Sequence, residues 1–113
     1  MKLLLDENLP KWLKQDFPEH EVFTVRDKGW NSMKNGDLLQ LMLIENFQAL
    51  LTFDKNLQHQ QNFNKYTLTV LVLNAIFNTY EVLTNLSEKV KKVLQHEPLP
   101  AGPIVITMNE SSS

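Results

Sequence analysis

The sequence predicts an α/β fold in which helices cover both faces of a central, mostly parallel β-sheet, giving three layers in the order α/β/α. Two observations carry this prediction. Short apolar runs of the kind buried on both faces of a parallel sheet alternate with segments of helical periodicity. The chain has 113 residues, which suits one domain. We expect residues 1–108 to form that domain and residues 109–113 to form a flexible C-terminal tail.

The first strand and the first helix follow from the N-terminal residues. Residues 3–5 are consecutive leucines, and this run ends at Asp6. Pro10 stands where the first turn of a helix tolerates proline, and Pro18 ends that helix. The residues that share its apolar face are Leu9, Trp12, Leu13 and Phe17. The pattern predicts a short helix packed on the sheet, with Trp12 in the core.

The middle of the chain predicts two further strands and a broad apolar helix. β-Branched and aromatic residues at 21–25 favour a second strand, which runs into a polar loop at 26–31. Residues 38–44 are apolar on nearly every side, so they predict a buried or interface-forming helix with Asp37 near its N-terminus. Residues 49–52 predict the third strand.

The C-terminal part predicts two strands that flank an amphipathic helix. Residues 68–73 form the clearest strand pattern in the sequence, after an uncharged polar loop at 58–62. The apolar stripe of the following helix consists of Leu83, Leu86, Val90, Val93 and Leu94. Prolines end this helix, and residues 104–106 predict a fifth strand. The predicted order is therefore β-α-β-α-β-β-α-β.

Composition excludes several classes of protein. The chain has no cysteine, which excludes disulfide scaffolds, thiol nucleophiles and zinc ribbons and predicts a reducing, cytoplasmic environment. No apolar run reaches the roughly 18 residues that a spanning helix needs, so no membrane contact is expected. The 11 Lys and Arg residues against 13 Asp and Glu residues give a net charge of −2. Contact with nucleic acid is therefore expected to be local.

Three aspartates are placed by the predicted topology at one edge of the sheet. Asp6 ends the first strand, Asp37 opens the helix before the third strand, and Asp54 follows the third strand. Ligand sites of open parallel sheets lie at the carboxyl ends of the strands, and clustered carboxylates repel one another unless a hard cation neutralises them. The cluster predicts a Mg²⁺ or Mn²⁺ site. The alternatives are a helix cap at Asp37 and a turn at Asp54.

Cations in the neighbouring loops predict a surface for the phosphates of a substrate. These cations are Arg26, Lys28, Lys34 and Lys55, and the topology places them around the carboxylates. A chain with net negative charge can still present such cations locally to a phosphate backbone. The alternative is that they are ordinary solvated side chains.

Other chemistry is less well supported. The glycines are too far apart for a phosphate-binding loop, and no serine stands in a nucleophile elbow. His20, His59 and His96 lie in different elements without the spacing of metal ligands. A phosphoacceptor receiver domain needs a lysine after its last strand, where this chain has Thr107. These observations argue against nucleotide-binding, serine hydrolase and receiver functions.

Four segments carry a recognisable set of motifs. They are residues 4–10 (LLDENLP), 24–30 (TVRDKGW), 37–39 (DLL) and 51–57 (LTFDKNL). Together they resemble the short bacterial PIN-like proteins, a subgroup formerly known as a domain of unknown function. The most specific part is the opening Asp-Glu-Asn-Leu-Pro combined with Leu-Thr-x-Asp, and the resemblance covers most of residues 2–75.

This resemblance implies a three-layer PIN-like fold and a metal-dependent endoribonuclease. PIN domains cut RNA with Mg²⁺ or Mn²⁺, and many are VapC-type toxins that a small antitoxin protein neutralises. Asp6, Asp37 and Asp54 match the acidic residues of the family, so the resemblance assigns them as metal ligands and catalytic residues. Arg26, Lys28 and Lys55 would then bind the RNA. The implied partners are RNA, an antitoxin and a second copy of the chain in a homodimer.

The sequence departs from the PIN pattern at two places. A full PIN domain carries a further Glu between its first and third acids, and this chain is too short there to hold the helices that carry it. Glu7 and Asp27 are the candidate substitutes. Asn56 stands where many PIN domains have a further Asp, which makes it a candidate additional ligand. The alternative function is therefore a non-catalytic PIN-like module that binds RNA or a protein, with helix 38–47 as its docking surface.

Overall fold

A five-stranded sheet forms the centre of the protein. The computed structural model describes residues 1–57, 67–96 and 98–107. All neighbouring strands run parallel, in the order β2-β1-β3-β4-β5. The strands are β1 Lys2–Leu5, β2 Glu21–Thr24, β3 Ala49–Thr52, β4 Thr69–Asn74 and β5 Gly102–Thr107. The predicted α/β class with a parallel sheet is confirmed.

Helices cover the two faces of this sheet and give it three layers. Among the described residues, the α-helices are α1 Asn35–Ile44, α2 Tyr80–Leu83 and α3 Ser87–Leu94, and the 3₁₀ helices are Lys11–Asp16 and Thr84–Leu86. Successive side chains of a strand point to opposite faces. Accordingly, Leu4 packs in one cluster with residues of α1, and Leu3 and Leu5 pack in the other with residues of the 3₁₀ helices and α3. The three inner strands β1, β3 and β4 are therefore buried on both faces, as continuous apolar runs predict.

The first helix differs from its prediction, and Trp12 with it. The segment Lys11–Asp16 is a 3₁₀ helix, which has about three residues per turn instead of 3.6. Leu13 is its buried residue, whereas 60% of the Trp12 surface is exposed. The predicted apolar face assumed α-helical periodicity, and the tighter turn removes Trp12 from it. The prediction that Trp12 lies in the core is therefore wrong.

Asp16 ties this 3₁₀ helix to the C-terminal helices. Its Oδ1 accepts a hydrogen bond from the Tyr80 hydroxyl at 2.8 Å. Its Oδ2 accepts hydrogen bonds from the hydroxyls of Thr84 and Ser87, each at 2.6 Å. Burial raises the pKa of Asp16, but the hydroxyls of Ser87, Thr84 and Tyr80 outweigh it and hold the pKa below its usual value. Through these hydrogen bonds, the carboxylate connects the first 3₁₀ helix to the C-terminal helices.

The remaining elements lie close to their predicted positions. β3 begins and ends as predicted, whereas β4 and β5 extend to Asn74 and Thr107. The predicted last helix is interrupted by the 3₁₀ turn Thr84–Leu86. Its predicted apolar stripe is confirmed, because Leu83, Leu86, Val90 and Leu94 are buried and Val93 packs against the core. The predicted polar loop at 58–62, with His59, and the predicted tail lie outside the described residues.

None of the helices in the described part of the chain has both the length and the apolar character needed to cross a membrane.

Candidate active site

The carboxyl ends of β1 and β3 bring two of the predicted aspartates to one edge. Asp6 follows β1 directly, and its N–H donates to the carbonyl of Leu51 in β3 at 2.9 Å. Asp54 follows β3 by two residues. Thr52, the fully buried last residue of β3, lies between them. Its hydroxyl donates to Asp6 Oδ2 at 2.6 Å and accepts the Asp54 N–H at 3.1 Å, so one side chain connects the two aspartates.

The electrostatics of Asp6 differ from those of an ordinary surface carboxylate. Burial raises its pKa, and the negative charges of Glu7 and Asp54 raise it further. Hydrogen bonds from the Thr52 hydroxyl and the Glu7 N–H lower it, but they do not outweigh burial. The net direction is upward. A cation beside Asp6 would favour its charged form, because opposite charge stabilises a buried carboxylate.

Asp54 combines its place beside Asp6 with a local turn. Its Oδ1 accepts the N–H of Asn56 at 2.9 Å, and its carbonyl accepts the N–H of Leu57 at 3.2 Å. This is the turn that was the alternative interpretation of Asp54. The exposed Asn56 contributes its backbone to that turn. The turn uses one carboxylate oxygen of Asp54, whose negative charge also contributes to raising the pKa of Asp6.

Glu7 and Asp37 occupy different surroundings. Glu7 Oε1 accepts the N–H of Ser32 at 2.8 Å and so links the end of β1 to the loop before α1. Asp37 is exposed in the first turn of α1, whose N-cap is Lys34. Asp37 is therefore not the N-cap, although a carboxylate in the first turn still interacts favourably with the helix dipole. Within residues 1–57, 67–96 and 98–107, no three Asp, Glu, His or Cys side chains form a group that could hold a metal ion.

The residues at this edge fit a Mg²⁺ or Mn²⁺ ion that keeps most of its water ligands. Magnesium is commonly held through one or two carboxylates together with water and substrate phosphates. Asp6 and Asp54 supply two carboxylates at adjacent strand ends, and the burial of Asp6 leaves a negative charge that a cation would neutralise. The donor set is oxygen only, which suits these hard cations.

An open cleft of about 550 Å³ lies beside Asp6, between the first 3₁₀ helix and the end of β2. Its lining includes Asp6, Glu7, Lys11, Trp12, Arg26 and Asp27. Sequence reasoning missed Lys11 as a site residue and assigned Trp12 to the core. The signal was present in part: Lys11 directly follows the Asp-Glu-Asn-Leu-Pro run and therefore begins the segment that leaves this edge of the sheet.

The three cations to which the resemblance assigns RNA binding do not all lie at the site. Arg26 is exposed and lines the cleft. Lys55 is exposed next to Asp54, with its Nζ 5.3 Å from the centre of the Phe53 ring. Lys28 instead donates to Glu45 at 3.1 Å. Glu45 follows the C-terminal end of α1, whereas Asp37 lies in the first turn of that helix. The structure thus keeps Arg26 and Lys55 at the edge of the site and engages Lys28 elsewhere.

Asp27 lines the same cleft as Asp6 but is already neutralised. Lys14 donates to its Oδ2 at 2.9 Å, and the Thr24 N–H donates to the same oxygen at 2.9 Å. The Asp27 N–H donates in return to the Thr24 hydroxyl. The hydrogen bond from Lys14, followed by that from Thr24, holds the pKa of Asp27 below its usual value. Asp27 is therefore a poorer candidate ligand than Asp6, because a metal would compete with Lys14.

Comparison with known proteins finds no family model, no curated protein and no solved structure that matches this chain. The resemblance to PIN-like proteins therefore stays a prediction from the sequence motifs. The chemistry of the site has to be argued from its own residues.

Thr52 provides a test of the connection between the two aspartates. Thr52→Val keeps the shape but removes the hydroxyl, so we expect the pKa of Asp6 to rise further and the free energy of unfolding to fall by about 1–2 kcal/mol. Thr52→Ser keeps the hydroxyl and should retain the wild-type pKa of Asp6. Carboxyl NMR titration and urea denaturation measure the two effects. Equal pKa values of Asp6 in the Val and Ser variants would contradict the hydrogen bond from Thr52.

Proposed function

We propose that this chain is a PIN-like endoribonuclease that hydrolyses RNA with the help of Mg²⁺ or Mn²⁺. The observation that carries the proposal is the pair Asp6 and Asp54, joined through the buried Thr52 hydroxyl at the carboxyl edge of a parallel sheet. An open cleft with exposed cations adjoins that pair. This combination suits a substrate that is itself a polyanion and that brings phosphate oxygens to a metal.

Each residue would have a defined role in this reaction. Asp6 and Asp54 would hold the cation, and the exposed Asp37 is the third candidate from the sequence motifs. When bound, the cation lowers the pKa of a water molecule and neutralises charge on the phosphate. Arg26 and Lys55 would attract the phosphates of the strand on either side of the scissile bond. Glu7 would position the loop before α1 through Ser32.

The cellular role follows from the resemblance alone. We propose that the protein acts in the cytoplasm as the toxin of a toxin–antitoxin pair, blocked by a small antitoxin protein. A homodimer is part of the same proposal.

One observation favours a second candidate, the non-catalytic module that binds RNA or a protein. The described residues contain no group of three metal-ligating side chains, and fewer anionic ligands weaken the affinity for a hard cation. Helix α1 supplies an exposed apolar side chain for docking, since 71% of the Ile44 surface is accessible. Such a module would bind its partner without cleaving RNA.

RNA cleavage by the purified protein decides between these candidates. A fluorescent single-stranded RNA is incubated with Mn²⁺, with Mg²⁺ and with a chelator, beside a parallel preparation of Asp54→Asn. We expect cleavage by the wild type with metal only, at a rate about 100-fold above that of Asp54→Asn. The products should carry a terminal phosphate monoester and not a 2′,3′-cyclic phosphate, because water and not the 2′-hydroxyl attacks.

Two results would overturn the nuclease proposal. Cleavage that continues in the chelator or in Asp54→Asn would identify a contaminating ribonuclease. RNA binding without any cleavage would assign the chain to the second candidate.

A further inference from the structure

Trp12 is an exposed aromatic side chain in a position that calls for a ligand. It lies in the first 3₁₀ helix, where Leu13 is buried against the core and 60% of the Trp12 surface is accessible. Tryptophan contributes a large apolar area, so a soluble domain gains stability by burying it. Its exposure therefore has a cost that binding would offset. The same side chain lines the cleft that adjoins Asp6.

Two cations accompany Trp12 in this cleft. Lys11 Nζ lies 5.5 Å from the centre of the Trp12 ring, and the exposed Arg26 also lines the cleft. Arg26 forms no ion pair with any residue that the structure describes. Aromatic platforms next to cations are how proteins bind single-stranded nucleic acid, because bases stack on the rings while the backbone contacts the charges.

The acidic residues of the cleft have partners of their own. Asp27 is paired with Lys14 at 2.9 Å. Glu7 accepts the Ser32 N–H at 2.8 Å, and Asp6 accepts the Thr52 hydroxyl at 2.6 Å. Lys11 and Arg26, in contrast, form no ion pair within the described residues and can contact the phosphates of a ligand.

We propose that this cleft is a nucleotide-binding subsite, in which an unpaired RNA base stacks on Trp12 while Lys11 and Arg26 bind the adjoining phosphates. A volume of about 550 Å³ falls within the range of small-molecule sites and accommodates one nucleotide. The inference rests on the proposed function, because the bound strand would continue from this subsite to Asp6. It selects single strands over duplexes, since a paired base cannot stack on a side chain.

Binding of a fluorescent oligo-adenylate RNA tests this subsite. Anisotropy is measured in a chelator, so that the strand stays intact. Trp12→Ala should weaken binding about tenfold, because base stacking on an aromatic residue contributes on this scale. Trp12→Phe keeps a ring and should remain within about threefold of the wild type. Val105→Ala removes an exposed apolar side chain of β5, outside the residues that line the cleft, and should bind as the wild type does.

The strand itself provides a second comparison. An oligonucleotide of the same length without bases should bind equally to the wild type and to Trp12→Ala, because nothing is left to stack. A duplex of the same sequence should show no dependence on Trp12. Circular dichroism of Trp12→Ala confirms that the fold is retained, as expected for a side chain with this exposure.

The outcomes separate the subsite from the nuclease. Loss of affinity in Trp12→Ala but not in Trp12→Phe, in a protein that never cleaves RNA, supports the subsite and overturns the nuclease proposal. Metal-dependent cleavage by a protein whose RNA affinity is the same in wild type and Trp12→Ala overturns the subsite alone. That second result would assign the exposed indole to contact with a protein.

Discussion

Asp6→Asn is expected to reduce metal-dependent RNA cleavage by about 100-fold or more, because it removes the partly buried carboxylate of the proposed site. Saturating Mn²⁺ should raise the Tm of the wild type, since a ligand that binds only the folded state stabilises it. It should leave the Tm of Asp6→Asn unchanged. This second readout does not depend on activity and therefore reports on the cation site itself.

Without metal, the stability of Asp6→Asn relative to the wild type is expected to depend on pH. Burial raises the pKa of Asp6 above its ordinary value of 3.8, so the folded chain holds a proton at this site more tightly than the unfolded chain does. The protonated Asp6 therefore stabilises the folded chain fully at pH values below the ordinary pKa. This contribution is lost as the pH rises through the folded pKa. Asparagine does not ionise. Relative to the wild type, Asp6→Asn should become more stable as the pH rises from about 3 to neutral.

Asp27→Asn is the matched control, because this carboxylate lines the same cleft but has a pKa displaced in the opposite direction. Its substitution removes the negative charge that pairs with Lys14, so the variant should lose stability relative to the wild type as the pH rises. Urea denaturation in a chelator measures both variants. If Asp6→Asn also loses stability with rising pH, Asp6 serves to cap the following segment, and the argument for a cation at this edge fails.

The strands and their succession along the chain could be predicted from the sequence for a physical reason. A strand buried on both faces has to be mostly apolar, and residues 3–5, 49–51 and 70–73 are apolar throughout. Because parallel strands end at the same edge, the positions of Asp6 and Asp54 follow from the topology. The prediction needed no knowledge of side-chain contacts. It therefore also placed Asp37 near the edge, although Asp37 joins no metal-ligating group within the described residues.

The rest of the site depends on contacts between residues far apart in the chain. Thr52 lies in an apolar strand, and its hydroxyl has a role only because Asp6 is on the neighbouring strand. Lys28 stands in the predicted loop, but Glu45 and the aromatic rings of Phe23 and Trp30 hold its ammonium. Trp12 is exposed because a 3₁₀ helix replaces the α-helix. No periodicity within a short segment reports on such differences.

The contacts of Asp16 were likewise not predictable from the sequence, and substitution of this residue is expected to have the largest effect on stability. Its three hydroxyl partners are 64 to 71 residues away in the sequence. Asp16→Ala would leave the hydroxyls of Tyr80, Thr84 and Ser87 without their acceptor, and Ser87 is buried. Hydrogen bonds to a charged group contribute more than neutral ones, and their effects here are not additive. We expect the free energy of unfolding to fall by about 2–4 kcal/mol at neutral pH.

The pH dependence of this loss identifies the charge as its cause. The folded pKa of Asp16 lies below its ordinary value of 3.8, so its stabilising contribution is present above that value and is lost as the pH falls through the folded pKa. The difference in the free energy of unfolding between wild type and Asp16→Ala should therefore shrink as the pH is lowered from neutral to about 2–3. Urea denaturation across this range measures it, and Glu19→Ala, an exposed acid nearby, should stay within about 0.5 kcal/mol of the wild type throughout. A difference that stays constant with pH would mean that Asp16 acts through packing, and that the three hydroxyls do not depend on a carboxylate.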